Sequence, residues 1–348
     1  MSRTNFGVTA DGLEVDIIEL RSENGVVVKC IPYGCCITNI LLPSPQGPVD
    51  IVLGFDKISG YEADSTGQGA FIGRYANRIR GASVRIGDRD YALMKNDGNN
   101  YLHGLLMNRL FSIEEADDKS VKFRTVSRDG EEGFPGELEV TVVYSLGRDD
   151  GLTMDYFART SADTHINLTN HAYFDLSCGC GDTIEKHLLR IESDAFLETE
   201  EDLIPTGRKI NVEGTPLDFR SWKPIGRDIG ANDINLKYGR GYDHCFILKK
   251  DKPGELSLAA EAASPEGERT MKVFTTQPAM QLYTGNFLDG TLSGKGRTFN
   301  YRSAFCLETQ HYPDTPHHLD FPSTLLKPGE EFHETTVLKF GFGEPLDK

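Results

Sequence analysis

The sequence predicts a large all-β protein, a single domain over residues 1–348 built as an antiparallel β-sandwich. Three observations carry that expectation. Short runs rich in β-branched and aromatic residues recur along the chain, punctuated by 36 glycines and 16 prolines. No helical period persists beyond a turn or two. The βα alternation of a parallel sheet is missing, and so is a glycine loop opening a helix to cradle phosphate, which argues against a dinucleotide fold.

Taken in order, "VVVKCIPYGCCITNILLP" (26–43) reads as strand material. "SVRIGDRDYAL" (83–93) reads as a hairpin turning at Gly87-Asp88. "KSVKFRTVS" and "GELEVTVVYSL" are strands joined by the glycine-rich loop "SRDGEEGFPGE". "LTMDYFART", "HLLRIES" and "HCFILKK" follow as further strands. Residues 182–186 and 232–238 are at most short helical turns. No repeat of 20–50 residues is present.

Composition narrows the function. Hydrophobic residues are 38% and charged residues 26%, ordinary globular values, and the formal net charge is −16. Such a surface has little general attraction for nucleic acid or an anionic membrane. No run approaches the ~18 apolar residues of a membrane span. The opening "MSRTNFGVTADGLEVD" lacks the apolar core of a signal peptide, and "GFGEPLDK" carries no lipidation or peroxisomal signal. Seven cysteines, at 30, 35, 36, 178, 180, 245 and 306, are odd in number and irregular in spacing. They argue for free thiols in a reducing compartment rather than a disulfide framework. Cys178 and Cys180 in "CGC" have no second pair at metal-ligand spacing.

Polar residues stand out on several strand-like runs. In "INLTNHAYFDL" (166–176), a period of two puts Asn167, Thr169, His171, Tyr173 and Asp175 on one face and Leu168, Asn170, Ala172, Phe174 and Leu176 on the other. "GRYANRIRGA" places Arg74, Arg78 and Arg80 around Asn77, forks of donors for a carboxylate or a pair of sugar hydroxyls, or else a solvated hairpin with ion pairs. "NNYLHGL" sets His103 before Gly104, where backbone approaches a ligand closely or simply turns. In "RGYDHCFIL", Asp243, Cys245 and Ile247 share a face. In "TTQPAMQLYTGN", Gln281 and Tyr283 oppose Met280 and Leu282, an amide and an aromatic suited to a sugar or to a half-exposed strand. In "AFCLETQHYPD", Glu308 follows apolar residues, surroundings that raise a carboxyl pKa and make a useful base, unless an arginine pairs with it. "HYPDTPHH" gathers three histidines and an aspartate, but its spacing matches no standard metal site. Together these residues are an inventory for acid–base work on a neutral polyhydroxyl compound. No G-x-S-x-G nucleophile and no phosphate loop accompany them.

At this point a family comes into view. "DIVLGFD", "GRYANRI", "LHG", "DGEEGFPG", "NLTNHAYFDL", "LIPTG", "PLDFR", "GYDH", "QLYTGNFLDG", "CLETQ" and "LKPGEEF" resemble, in order from about residue 50 to about residue 332, the aldose 1-epimerases or galactose mutarotases. The resemblance implies the galactose mutarotase-like supersandwich, with a sugar bound in an open cleft on a sheet face. It implies interconversion of the α and β anomers of D-galactose and D-glucose. It makes Glu308 the general base and His171 the general acid, and has Asn77, Arg78, His103, Asp243 and Gln281 contact the sugar, with Asp243 a candidate for keeping His171 charged. Ala172, Asp175 and Tyr312 stand where relatives often carry Ser, Asn and Phe. No metal, nucleotide or flavin is expected, since no redox or phosphoryl step occurs. The expected partner is the small-molecule sugar, with no nucleic acid or membrane, and the chain is expected to be a cytoplasmic monomer or weak dimer. The rivals are a sugar-phosphate epimerase, which needs several cations, a glycosidase using Asp243 and Glu308, and a binding module, which needs no Glu/His pair.

Overall fold

A computed structural model describes residues 2–179, 181 and 183–342, and it is a β-sandwich. Cys180 and Asp182, on which the "CGC" and 182–186 readings partly fall, lie outside the described residues, as does most of "GFGEPLDK". Residues 2–50 form a five-stranded meander: Ser2–Val8, Glu14–Arg21, Val27–Cys30, Ile37–Leu42 and Val49–Asp50. A nine-stranded sheet follows in the order Ser112–Ala116, Ser120–Ser127, Leu138–Leu146, Leu152–Thr160, Phe332–Phe342, Arg269–Thr275, Ser257–Ala263, Leu188–Ile191 and Lys223–Pro224. The late strand Phe332–Phe342 enters between Leu152–Thr160 and Arg269–Thr275, so the end of the chain ties two parts of this sheet together. A second five-stranded sheet runs Pro205–Asn211, Ser193–Thr199, Asp243–Leu248, Ala279–Tyr283, Cys306–Gln310. The pairings within all three sheets are antiparallel.

The alternation seen in the sequence is what builds the sandwich. Along Leu138–Leu146, Leu138, Val140, Val142, Tyr144 and Leu146 are buried, while Glu139 is exposed and Thr141, Val143 and Ser145 are half-buried. The largest hydrophobic cluster joins Ile18, Val28 and Ile40 of the meander, Phe123, Val142 and Val273 of the long sheet, and Phe246, Met280, Leu282 and Leu307 of the second five-stranded sheet. Each such side chain contributes about 1.5–3 kcal/mol on burial. The inner face of the Asp243–Leu248, Ala279–Tyr283 and Cys306–Gln310 strands therefore belongs to the core, which leaves their outer face for chemistry.

Local expectations fare unevenly. The hairpin at Gly87-Asp88 is present, Ser83–Ile86 pairing with Arg89–Ala92. The 232–238 turn is a helix, Ile234–Gly239, with Asp233 as its cap accepting from the Asn235 amide at 2.8 Å. A helix at Ile58–Ala63 is invisible in the sequence because it has no capping side chain, no acidic residue in its first turn and no basic residue in its last. The 166–176 run is not a continuous strand. Only Thr169–Asn170 pairs regularly, with Phe71–Ile72, while Asn167 makes one isolated bridge and Phe174 two. Both faces of the run are buried, because it is threaded between elements on either side.

Candidate active site

Three neighbouring strands of the second five-stranded sheet set the floor of the cleft. The register places Gln281 opposite Glu308 and Cys245 opposite Gln281, with Asp243 two residues before Cys245. Alternation then sends Asp243, Gln281 and Glu308 to the same side. The faces expected for all three runs hold.

His171 reaches this floor from the threaded segment. Its backbone is clasped on both sides: its N–H donates to the Ala70 carbonyl at 2.8 Å, and its carbonyl accepts from the Gly69 amide at 3.1 Å. Gly69 has φ +72°, and a Cβ there would lie 2.2 Å from the Ile37 carbonyl oxygen, so glycine is required for this clasp. The result is that His171 Nε2 stands 3.5 Å from Glu308 Oε1, with both residues buried. Tyr173 and Tyr283 flank the imidazole, with ring centroids 5.0 and 6.1 Å away.

His103 closes the opposite side, its ring nearly perpendicular to that of His171 at 5.3 Å. It sits at φ +62°. Its Nδ1 accepts from the Asn77 amide at 3.2 Å, which assigns its proton to Nε2. The neighbouring Gly104 is needed for a different reason from the one the sequence suggests. The space above it holds the Tyr101 hydroxyl and the Glu132 carboxylate, at 2.2 and 2.5 Å from a hypothetical Cβ, and not a ligand. Asn77 turns its side-chain oxygen to the Arg78 amide at 2.8 Å, and Arg78 Nε pairs with Asp97 at 2.7 Å.

The cleft has a volume of about 360 Å³ and is lined by Asn77, Arg78, Asp97, His103, His171, Tyr173, Asp243, Tyr283, Phe287 and Glu308, with Ser65, Thr66 and Leu102 at its edge. That is the small end of the ~300–1,000 Å³ range of small-molecule sites. Six of the seven expected site residues line it. Gln281 lies behind them, and its amide donates to Asp243 Oδ1 at 2.6 Å. Asp97, Tyr173 and Phe287 were not singled out as site residues. Asp97 and Phe287 lie on loops where no periodicity marks them. Past Arg78, Asp97 and Phe287 the cleft continues into a second hollow that also involves Asp202, Tyr238 and Arg240.

The other two arginines of "GRYANRIRGA" face elsewhere. Arg74 is wholly buried, donating to Ser127 Oγ at 2.9 Å and to the Ser127, Arg128 and Gly136 carbonyls at 2.9, 3.1 and 2.6 Å. Arg80 pairs with Glu200 and Asp314. Arg74→Met is therefore expected to lower stability by roughly 3 kcal/mol, since it orphans several buried carbonyls. The KM for a sugar should stay near wild type, and denaturant melts with parallel kinetics check both. Asp175 is also remote from the cleft, bonded to Ser177 and Arg297.

Burial dominates the electrostatics. It pushes Glu308 well above the ordinary carboxylate range, helped by the negative charge of Asp243 and opposed by Arg78. It pushes His171 down to about 4. His103 falls well below its usual value through burial, then the neighbouring His171 and Arg78. The carboxylate beside His171 is Glu308. Asp243 is engaged by Gln281, and burial raises its own pKa. The second oxygen of Glu308, Oε2, is buried without a hydrogen-bond partner among the described residues, an unmet acceptor in the floor. Donor atoms of His103, His171 and Glu308 lie within 4.8 Å of one another and could also take a metal ion, in the place a sugar would occupy.

The chain's likeness to known proteins agrees with this geometry. The family model described as aldose 1-epimerase matches residues 16–339. A galactose mutarotase from Bos taurus is 42% identical over 330 residues, covering 94% of each chain. One from Mus musculus is 41% identical over 345 residues, covering 98% of each. The crystal structure of an aldose epimerase homologue from C. elegans superposes with a TM-score of 0.86 at 28% identity, covering 94% of this chain and 99% of that one. A match that runs unbroken through every strand supplying the cleft leaves one assignment: the chain belongs to the aldose 1-epimerase family.

Proposed function

We propose that this cleft opens and recloses the ring of D-galactose or D-glucose, with Glu308 as general base and His171 as general acid. The observation that carries the reading is the buried pair at 3.5 Å, set in a cleft of monosaccharide size. Glu308 takes the proton of the C1 hydroxyl while His171 Nε2 gives one to the ring oxygen. The C1–O5 bond breaks and the C1–O1 bond becomes a carbonyl. Rotation about C1–C2 offers the other carbonyl face, and the two transfers run backwards. Asn77, Arg78, His103 and Asp243 hold the remaining oxygens, and Gln281 holds Asp243.

Burial weights the two halves of this cycle unequally, making the charged pair that begins and ends it the costly form and the discharged pair of the open-ring stage the favoured one. With the ring closed, the active pair is carboxylate and imidazolium. With the ring open, it is carboxylic acid and neutral imidazole. The shifts in Glu308 and His171 both favour the neutral forms, so ring opening discharges the pair where charge is costly. Each positioned group is worth about 10²–10⁴ in rate.

The rivals fit less well. Arg78 is the one arginine or lysine among the cleft's lining residues and is paired with Asp97, which is poor provision for a phosphate. A glycosidase needs a second free carboxyl, and Asp243 is engaged by Gln281. A module that only binds sugar has no use for a Glu/His pair held in contact.

Polarimetry on fresh α-D-galactose and α-D-glucose tests the reading. Faster approach to the same final rotation is expected with both, undiminished by exhaustive chelation of metals and much weaker with galactose 6-phosphate. A folded protein that accelerates neither sugar would overturn it.

A further inference from the structure

His171 meets one group through each ring nitrogen. Nε2 faces Glu308, and Nδ1 faces the Cys306 sulfur at 3.5 Å. Cys306 and Glu308 are two residues apart on one strand, so their side chains emerge on the same face. Cys306 is wholly buried and pairs in register with Tyr283, whose ring flanks the imidazole. The thiol is thus fixed by the sheet itself, and the same strand supplies both the base and the neighbour of the acid. Burial keeps it protonated.

The choice of sulfur has a chemical consequence. A carboxylate against Nδ1 would stabilise the imidazolium and make it a poorer acid. A thiol is a weak donor and a weak acceptor, so it marks one nitrogen without adding charge. Turning the imidazole over would replace Nδ1 by a carbon at the sulfur and take Nε2 away from Glu308. The contact therefore selects between two ring orientations that packing alone discriminates poorly.

We propose that Cys306 is a positioning residue for ring opening: its thiol engages Nδ1, holds the His171 imidazole in the orientation that aims Nε2 at the sugar, and leaves that ring free to release its proton. The proposal rests on His171 being the acid.

The test compares Cys306→Ala and Cys306→Ser with wild type in kcat, KM and the pH dependence of kcat, with ¹⁵N spectra of the histidine rings. Ala should lower kcat about tenfold, the scale of one lost orienting hydrogen bond, with KM within about twofold. Ser should restore kcat to within about threefold. Its hydroxyl accepts more strongly from Nδ1–H, so the limb of the profile that reports His171 should move to higher pH, with a matching shift of the Nδ1 resonance. An Ala variant with the wild-type rate and profile would overturn the proposal. So would Ala and Ser variants equally slowed with the limb unmoved, since that is the mark of packing alone. If Ala does not fold, the Ser profile and its Nδ1 resonance decide. If His171→Asn keeps the wild-type rate, the acid assignment has failed instead. The ¹⁵N comparison then still reports whether sulfur engages Nδ1.

Discussion

Replacing Glu308 by Gln is expected to lower kcat by roughly 10²–10⁴-fold and to raise the melting temperature at pH 8. Gln keeps the shape and can donate a hydrogen bond, but it cannot take the C1 hydroxyl proton. The stability gain has a separate cause. Burial raises the folded-state pKa of Glu308 above the 4.5 of an ordinary glutamate. The unfolded chain therefore releases this proton at lower pH than the folded one. Stability is unpenalised below pH 4.5, falls as pH rises toward the folded pKa, and stays reduced above it. Gln removes the penalty. A gain of about 2–4 °C at pH 8, the worth of ~1 kcal/mol in a large domain, should vanish as the two melting curves converge below pH 4.5. Polarimetry and melts at several pH values check both parts. A variant with a rate within tenfold of wild type would remove Glu308 from the reaction.

His171→Asn carries the second large effect, a kcat loss of similar size with a much smaller change in KM. The decisive comparison is the double variant. Two groups that pass protons through one sugar act as a unit, and removing one already disables the other. The double variant should be no slower than the worse single one. Multiplied losses would mean that the groups serve separate steps.

Much of this site was legible because strand alternation was informative. Counting in twos assigned Asp243, Gln281 and Glu308 each to a face of its own run, and the strand register brings those three faces to one side. The same counting misled along 166–176. Asn167 and Asp175 share parity with His171, yet the Asn167 amide donates to the Ala76 carbonyl at 3.0 Å and Asp175 binds Arg297. Polar alternation there reports satisfied buried groups on a threaded segment rather than a wet face. Arg74 and Arg78 look alike in sequence. What separates them is the set of carbonyls between 127 and 136 that surrounds Arg74 in space. Asp97, Phe287 and the sulfur against His171 depend on tertiary contacts that no local pattern encodes.

The floor strands have a consequence for how such a protein can change. Met280, Leu282 and Leu307 on one side belong to the main core, while on the other Glu308 lines the cleft and Gln281 braces Asp243 behind it. A substitution that shifts any of these strands is exposed to selection twice, once for folding and once for turnover. The rim is under neither constraint to the same degree: Ser65, Thr66, Asp97 and Phe287 project from loops and short turns. Divergence toward other sugars is thus channelled to the rim, and a library built to widen the substrate range belongs there, with the floor left alone.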